Sequence, residues 1–199
     1  MADDKNGRER QARKAEKRQR QREILEALER REEAEPPVAE ATLDELEGEL
    51  ATVKFPATGA EIVETAGDKE IDSEEGTFRV ADLIPATEDE VFDDPETVRL
   101  RVERPTVAAS MKRVLEAAGS HPRLDLRGSQ REGYEKTMRS LKNLDADDDD
   151  EGIREITDWI IEQIEEKEKL PGSRPVRRQA AKFCRGKGYE IGNDEWLGV

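Results

Sequence analysis

A chain of 199 residues with 34% hydrophobic, 42% charged and 4% aromatic content has apolar material for one modest core or two small ones. A single cysteine excludes an internal disulfide framework, and no apolar run approaches the ~20 residues that span a bilayer. The net charge of −15 is unevenly spread: residues 1–31 hold 11 Lys/Arg against 7 Asp/Glu, whereas the other 168 residues hold 23 against 42. A basic tail on an acidic body implies separate tasks for the two.

Residues 1–35 read as a basic extended helix or tail. Between 8 and 33 there is no Gly or Pro, and Arg, Lys, Glu, Gln, Ala and Leu are all good helix formers. Only Ile24, Leu25 and Leu28 are large and apolar, so this coiled-coil-like rod has little to bury. Arg10, Arg13, Lys14, Lys17, Arg18 and Arg20 take up most of its circumference. Pro36 and Pro37 stop it, and 36–41 is read as a linker.

Residues 42–104 read as a small α+β module. Thr42-x-x-Glu45 and Thr58-x-x-Glu61 are spaced as capping boxes, the first opening a helix with Leu43, Leu46 and Leu50 on one face. A strand is expected around Thr77–Val80. A second is expected in TVRLRVER, where Val98, Leu100 and Val102 alternate with arginines.

Residues 105–199 read as a helical module. Val107, Met111, Val114, Leu115 and Ala118 mark one amphipathic face, and Ser129-x-x-Glu132 caps a helix carrying Tyr134, Met138 and Leu141. DADDDDEG, at 145–152, reads as an acidic hinge. Ile153, Ile156, Ile160 and Ile164 make the strongest stripe, KLPGSRP interrupts it, and Val176, Ala180, Phe183 and Cys184 begin the last helix. GYEIGNDEWLGV closes as a turn or small hairpin with Tyr189 and Trp196 packed. The fold class expected is α+β, mainly helical, with a long N-terminal helix, a small α+β module and a C-terminal helical segment.

Abundant Asp and Glu beside 22 Arg and only 12 Lys is similar to the protein composition of extremely halophilic archaea, where carboxylates hold water and cations at the surface. FPATGAEIV, DDPETVRLRVERP, GSQREGYEKT and KLPGSRPVRRQAAKFCRGKGYEIGNDEWL together resemble a family of uncharacterised conserved proteins of halophilic archaea. FPATGAEIV also looks like the start of a small domain of unknown function. The resemblance implies a salt-rich cytoplasm and carries no activity.

Catalytic motifs are absent from the sequence. Cys184 and His121 are the one Cys/His combination, and Cys184 falls on an apolar face, where a small buried thiol is commonplace. Two such residues are too few for a zinc site, and the acidic run lacks the spaced ligands of a calcium loop. Neither glycine-rich nucleotide loop occurs, and PGSRP at 171–175 reads as a helix–helix connection rather than an anion-binding turn. No catalytic residue, metal or cofactor is assigned. With no hydrophobic signal core near Met1, a soluble cytoplasmic protein without membrane contact is expected.

Binding remains. Lys167, Lys169, Arg174, Arg177, Arg178, Lys182, Arg185 and Lys187 stand against one acid, Glu168, in 167–187. Arg10, Arg13, Lys14, Lys17, Arg18, Arg20, Arg174, Arg177, Arg178 and Lys182 are the expected phosphate contacts of a non-enzymatic factor associated with RNA or ribonucleoprotein. The alternative is a protein–protein adaptor, pairing through Ile24, Leu25 and Leu28, with a solvated charged tail. The sequence does not set the oligomeric state.

Overall fold

The structure, a computed structural model, describes residues 38–126, 128–144 and 150–189. The expected basic helix over 8–33, with Arg10, Arg13, Lys14, Lys17, Arg18 and Arg20, lies outside them, as do residues 145–149, most of the expected acidic hinge, and the closing segment from 190. Eight helices and two two-stranded antiparallel sheets make up the described residues, a mainly helical α+β fold.

Val38 opens the described chain, buried and bridged to Ser73, so that α1 (Glu40–Leu50) starts directly behind it. Leu43, Leu46 and Leu50 are its buried face. Thr42 does not cap this helix as its spacing suggested. The N-cap is Ala39, whose carbonyl accepts from Thr42 N (3.0 Å), and Thr42 sits inside the first turn.

The second capping box forms as expected. Thr58 ends β1 (Ala57–Thr58) and opens α2 (Gly59–Ala66); its hydroxyl accepts from Glu61 N at 3.2 Å, and Thr58 N donates to Glu61 Oε2 at 2.8 Å. Those bonds from Thr58 favour the charged carboxylate and hold Glu61 below its ordinary pKa. Gly59 is required where it stands, because a Cβ there would lie 2.2 Å from the Pro85 carbonyl oxygen.

Strands β2 (Glu70–Ser73) and β3 (Gly76–Arg79) form a tight hairpin in which Ile71 pairs with Phe78. Gly76, at φ +126°, takes the backbone that a side chain would disfavour. A one-turn helix α3 (Val80–Leu83) follows, and β4 (Val91–Phe92) returns to pair with β1.

TVRLRVER is not a strand. Residues 95–102 form helix α4 (Pro95–Val102). Asp94 accepts from Thr97 N at 2.8 Å, and Pro95 supplies a preset φ in the first turn. Val98 and Val102, four apart, share a buried helix face, whereas Leu100, which a strand would have buried with them, is 49% exposed. The alternation of three apolar residues fitted both periods, and the cap decided between them.

Helix α5 (Pro105–Gly119) is the wall between two cores. Ala108 belongs to the first, with Leu46, Leu50, Ile62, Ile71 and Val98; Val107, Met111, Val114 and Ala118 belong to the second. The second core is completed by α6 (Gly128–Leu144), α7 (Glu151–Lys167) and α8 (Ser173–Lys187). They contribute Tyr134, Met138 and Leu141, then Ile153, Ile156, Ile160 and Ile164, then Val176, Ala180 and Cys184. Because α6 begins at Gly128, Ser129 lies within its first turn rather than at its cap.

Polar links join the two halves. A Glu90–Arg101–Glu135–Arg131 quartet connects the approach to β4 and α4 with α6: Arg101 reaches Glu90 at 3.4 Å and Glu135 at 2.7 Å, and Arg131 pairs with Glu90 and, at 3.6 Å, with Glu135. Glu90 is buried and its Oε2 finds no hydrogen-bond donor among the described residues. Burial pushes both guanidinium groups down from their ordinary values, against the pull of Glu135. Lys142 adds a second link, to Glu75 and Asp150, each at 2.6 Å.

Candidate nucleic-acid interface

Helix α8 follows a short connector whose position is fixed by α6. Gln130 Nε2 donates to the Pro171 carbonyl at 3.3 Å, and the Tyr134 hydroxyl donates to the same oxygen. Burial raises the Tyr134 pKa, so the hydroxyl stays a donor. Gly133 lets Ser173, the first residue of α8, lie directly against α6. The PGSRP turn is thus a packed connection. At its far end α8 is tied to the start of α7 by Lys187 and Glu151, 2.6 Å apart, so the two helices run antiparallel.

With one face of α8 buried through Val176, Ala180, Ala181 and Cys184, the opposite face is set by the 3.6-residue turn. Arg174, Arg178, Lys182 and Arg185 are exposed there at spacings of four, four and three. At ~100° per residue they fall within an arc of about 80°, and over eleven steps they span about 16 Å. None makes an ion pair among the described residues.

Many other cations of the described residues are held by carboxylates. Arg99 is held by Glu40, Asp44 and Glu47, Lys69 by Glu45 and Glu49, Arg79 by Asp82, and Arg113 by Asp158. Lys54, Arg123, Arg154 and Lys169 also make no ion pair among the described residues, and Lys167 donates to Gln163 Oε1 at 2.7 Å rather than to a carboxylate, but none of them lies on α8.

The expected contacts Arg174, Arg178 and Lys182 are therefore brought together. Arg177 is turned about 100° away from Arg178 and is only half exposed, with its Nε buried. Arg185 completes the stripe; its spacing of seven from Arg178 was the signal in the sequence. The neighbouring helix α7 exposes Glu155, Glu162, Glu165 and Glu166, together with Asp158, which is paired with Arg113.

Elsewhere, Cys184 is buried in the second core, and His121 lies in the turn behind α5, where its backbone N–H donates to the Ala118 carbonyl. No group of three or more His, Cys, Asp or Glu is placed to hold a metal ion among the described residues. None of the helices described is long and apolar enough to cross a membrane.

Residues 37–114 match the model of a family of unknown function, DUF5789. The match covers the first core and most of α5 and ends before α6, so the α8 face lies outside it. No curated protein and no solved structure matches the chain.

Proposed function

We propose that this protein is a non-enzymatic factor that associates with nucleic acid or ribonucleoprotein in a salt-rich cytoplasm. Four cations left unpaired on one face of a rigidly seated helix carry the reading, on a body whose other arginines are largely neutralised by carboxylates. Arg10, Arg13, Lys14, Lys17, Arg18 and Arg20 would add a second basic element, and Arg-rich segments grip phosphate through a planar fork.

The composition supports the salt-rich setting, with 49 Asp/Glu and few lysines. In molar salt the Debye length falls to ~3 Å, so a single long-range attraction is worth little. Contact through several guanidinium groups at once, on a particle offering many phosphates, survives screening better. The adaptor reading rests on Ile24, Leu25 and Leu28, which lie outside the described residues; among the described residues the exposed large hydrophobics are Leu100 and Val91, and scattered single apolar residues are ordinary surface.

The test is cross-linking of the full chain in molar KCl, followed by identification of what is attached. RNA or a ribonucleoprotein supports the proposal. A protein partner with no nucleic acid, whose capture is lost in Ile24→Ser/Leu28→Ser, replaces it with the adaptor.

A further inference from the structure

The geometry points to α8 as a rail for the phosphates of a single nucleic-acid strand, one cation per phosphate, with no reading of base sequence; this rests on the nucleic-acid reading above. Arg174, Arg178 and Lys182 are spaced four residues apart, a rise of about 6 Å per step, and Arg185 closes the series with a rise of about 4.5 Å. Steps of that size are comparable with the distance between successive phosphates along one strand. A row of four such cations matches about four consecutive phosphates.

Width separates one strand from two. The basic face is a single side chain wide, within an arc of about 80°. On the adjoining antiparallel helix α7, Glu155, Glu162, Glu165 and Glu166 are exposed, while Asp158 is paired with Arg113. A duplex lying on α8 would bring the phosphates of its second strand toward like charge, whereas one strand can follow α8 alone. Groove reading is also disfavoured by construction. The four cations run the whole length of the helix rather than gathering at one end, and the N-terminal turn, where recognition helices place their base contacts, is packed through Ser173 against Gly133 of α6.

Acidic peptide chains share the charge of nucleic acid, and their carboxylates also pair with guanidinium groups in a bidentate way, but they lack its fixed phosphate spacing, which is what the regular steps along α8 match.

The experiment measures anisotropy of a labelled oligouridylate with the full chain over a series of KCl concentrations. The fit is of log K against log salt. The variant is Arg174→Ala/Arg178→Ala/Lys182→Ala/Arg185→Ala, which keeps good helix formers on a solvent face, and its fold is checked by circular dichroism. Each single-strand phosphate contact adds about 0.7 to the slope, so losing four should flatten it by about 3. Arg174→Lys/Arg178→Lys/Arg185→Lys, as a second variant, should retain most of the slope.

Binding of the wild-type chain with an unchanged slope in the alanine variant overturns the rail while leaving the nucleic-acid reading to the basic tail. A duplex of the same length bound as tightly as the single strand overturns the strand choice alone. Equal competition by polyglutamate overturns recognition of phosphate spacing. No binding of any polynucleotide at any salt overturns both readings together.

Discussion

Gly133→Ala should destabilise the protein, against the intrinsic preference of its own helix. Gly133 lies in the interior of α6, where alanine would ordinarily add about 1 kcal/mol. A Cβ at 133 would, however, sit 2.7 Å from Ser173 Cβ and 3.1 Å from Ser173 Oγ, where carbon atoms prefer about 3.5–4.0 Å. The opposing atom is joined directly to the backbone at the start of α8, so it cannot swing aside. The helix itself must shift, disturbing the bonds from Gln130 and Tyr134 to Pro171. Overpacking of this kind costs about 1–3 kcal/mol, so the net loss is about 1 kcal/mol.

Gly48→Ala is the control. Gly48 is also within a helix, α1, but a Cβ there meets nothing within 4 Å, so stability should rise by about 0.5–1 kcal/mol. Urea denaturation of the full chain reads both as midpoint shifts at constant slope. In a double-mutant cycle, Ser173→Gly should rescue Gly133→Ala with a coupling of about 1–2 kcal/mol. If both alanines stabilise equally, or if the cycle shows no coupling, the contact between α6 and α8 is not what glycine is there to permit.

Glu90→Gln should cost about 3 kcal/mol in the same denaturation assay, because it leaves Arg101 and Arg131 dependent on Glu135; a loss under about 1 kcal/mol would show that water already screens the quartet. Glu168 ends α7 at φ +45°, a conformation that costs a side-chain residue about 1–2 kcal/mol, so Glu168→Gly should raise the urea midpoint by an amount worth about 1 kcal/mol. Glu61 is held below its ordinary pKa by the hydrogen bonds from Thr58, so its contribution is complete above the unfolded carboxylate value. That contribution is lost as pH falls through the depressed folded value, and Glu61→Gln should remove this step from a plot of urea midpoint against pH.

The helical faces were readable wherever the apolar stripe was long. Ile153, Ile156, Ile160 and Ile164 repeat over three turns, a pattern that a strand cannot satisfy, and all four are buried. TVRLRVER failed because three apolar residues are too few to separate a period of two from one of 3.6. The decisive signal was Asp94-Pro95, just outside the alternating run. Thr42 misled for a related reason: a capping spacing is local, whereas α1 begins where Val38 is anchored by Ser73, distant in sequence. On α8 the basic residues were legible as a cluster, but separating Arg177 from Arg174, Arg178, Lys182 and Arg185 required knowing which face was buried. The carboxylate partners of Arg99 and Arg101, and the Glu90 partner of Arg131, come from other elements, so no sequence spacing could have disclosed them; the Arg131–Glu135 pair alone of these has the i,i+4 spacing of one helix.

Scarcity of carboxylates does not explain the four unpaired cations on α8. Acidic groups outnumber basic ones 42 to 23 in residues 32–199, and α7, which packs beside α8, exposes five of them. Across that boundary Lys187 pairs with Glu151, but Arg174, Arg178, Lys182 and Arg185 pair with none of the acids. Interleaving these charges would have added a few exposed ion pairs worth at most about 1 kcal/mol each, so keeping them apart costs the fold little. Segregation has a consequence for recognition. A polyanion is repelled by most of the body and attracted along one narrow strip, so orientation is set as much by where contact is refused as by where it is made. Reversing Glu162 and Glu165 to lysine should therefore broaden the basic face and raise duplex affinity toward that of a single strand. Anisotropy with the two oligonucleotides side by side reads this directly, and an unchanged preference would mean that the acids of α7 play no part in it.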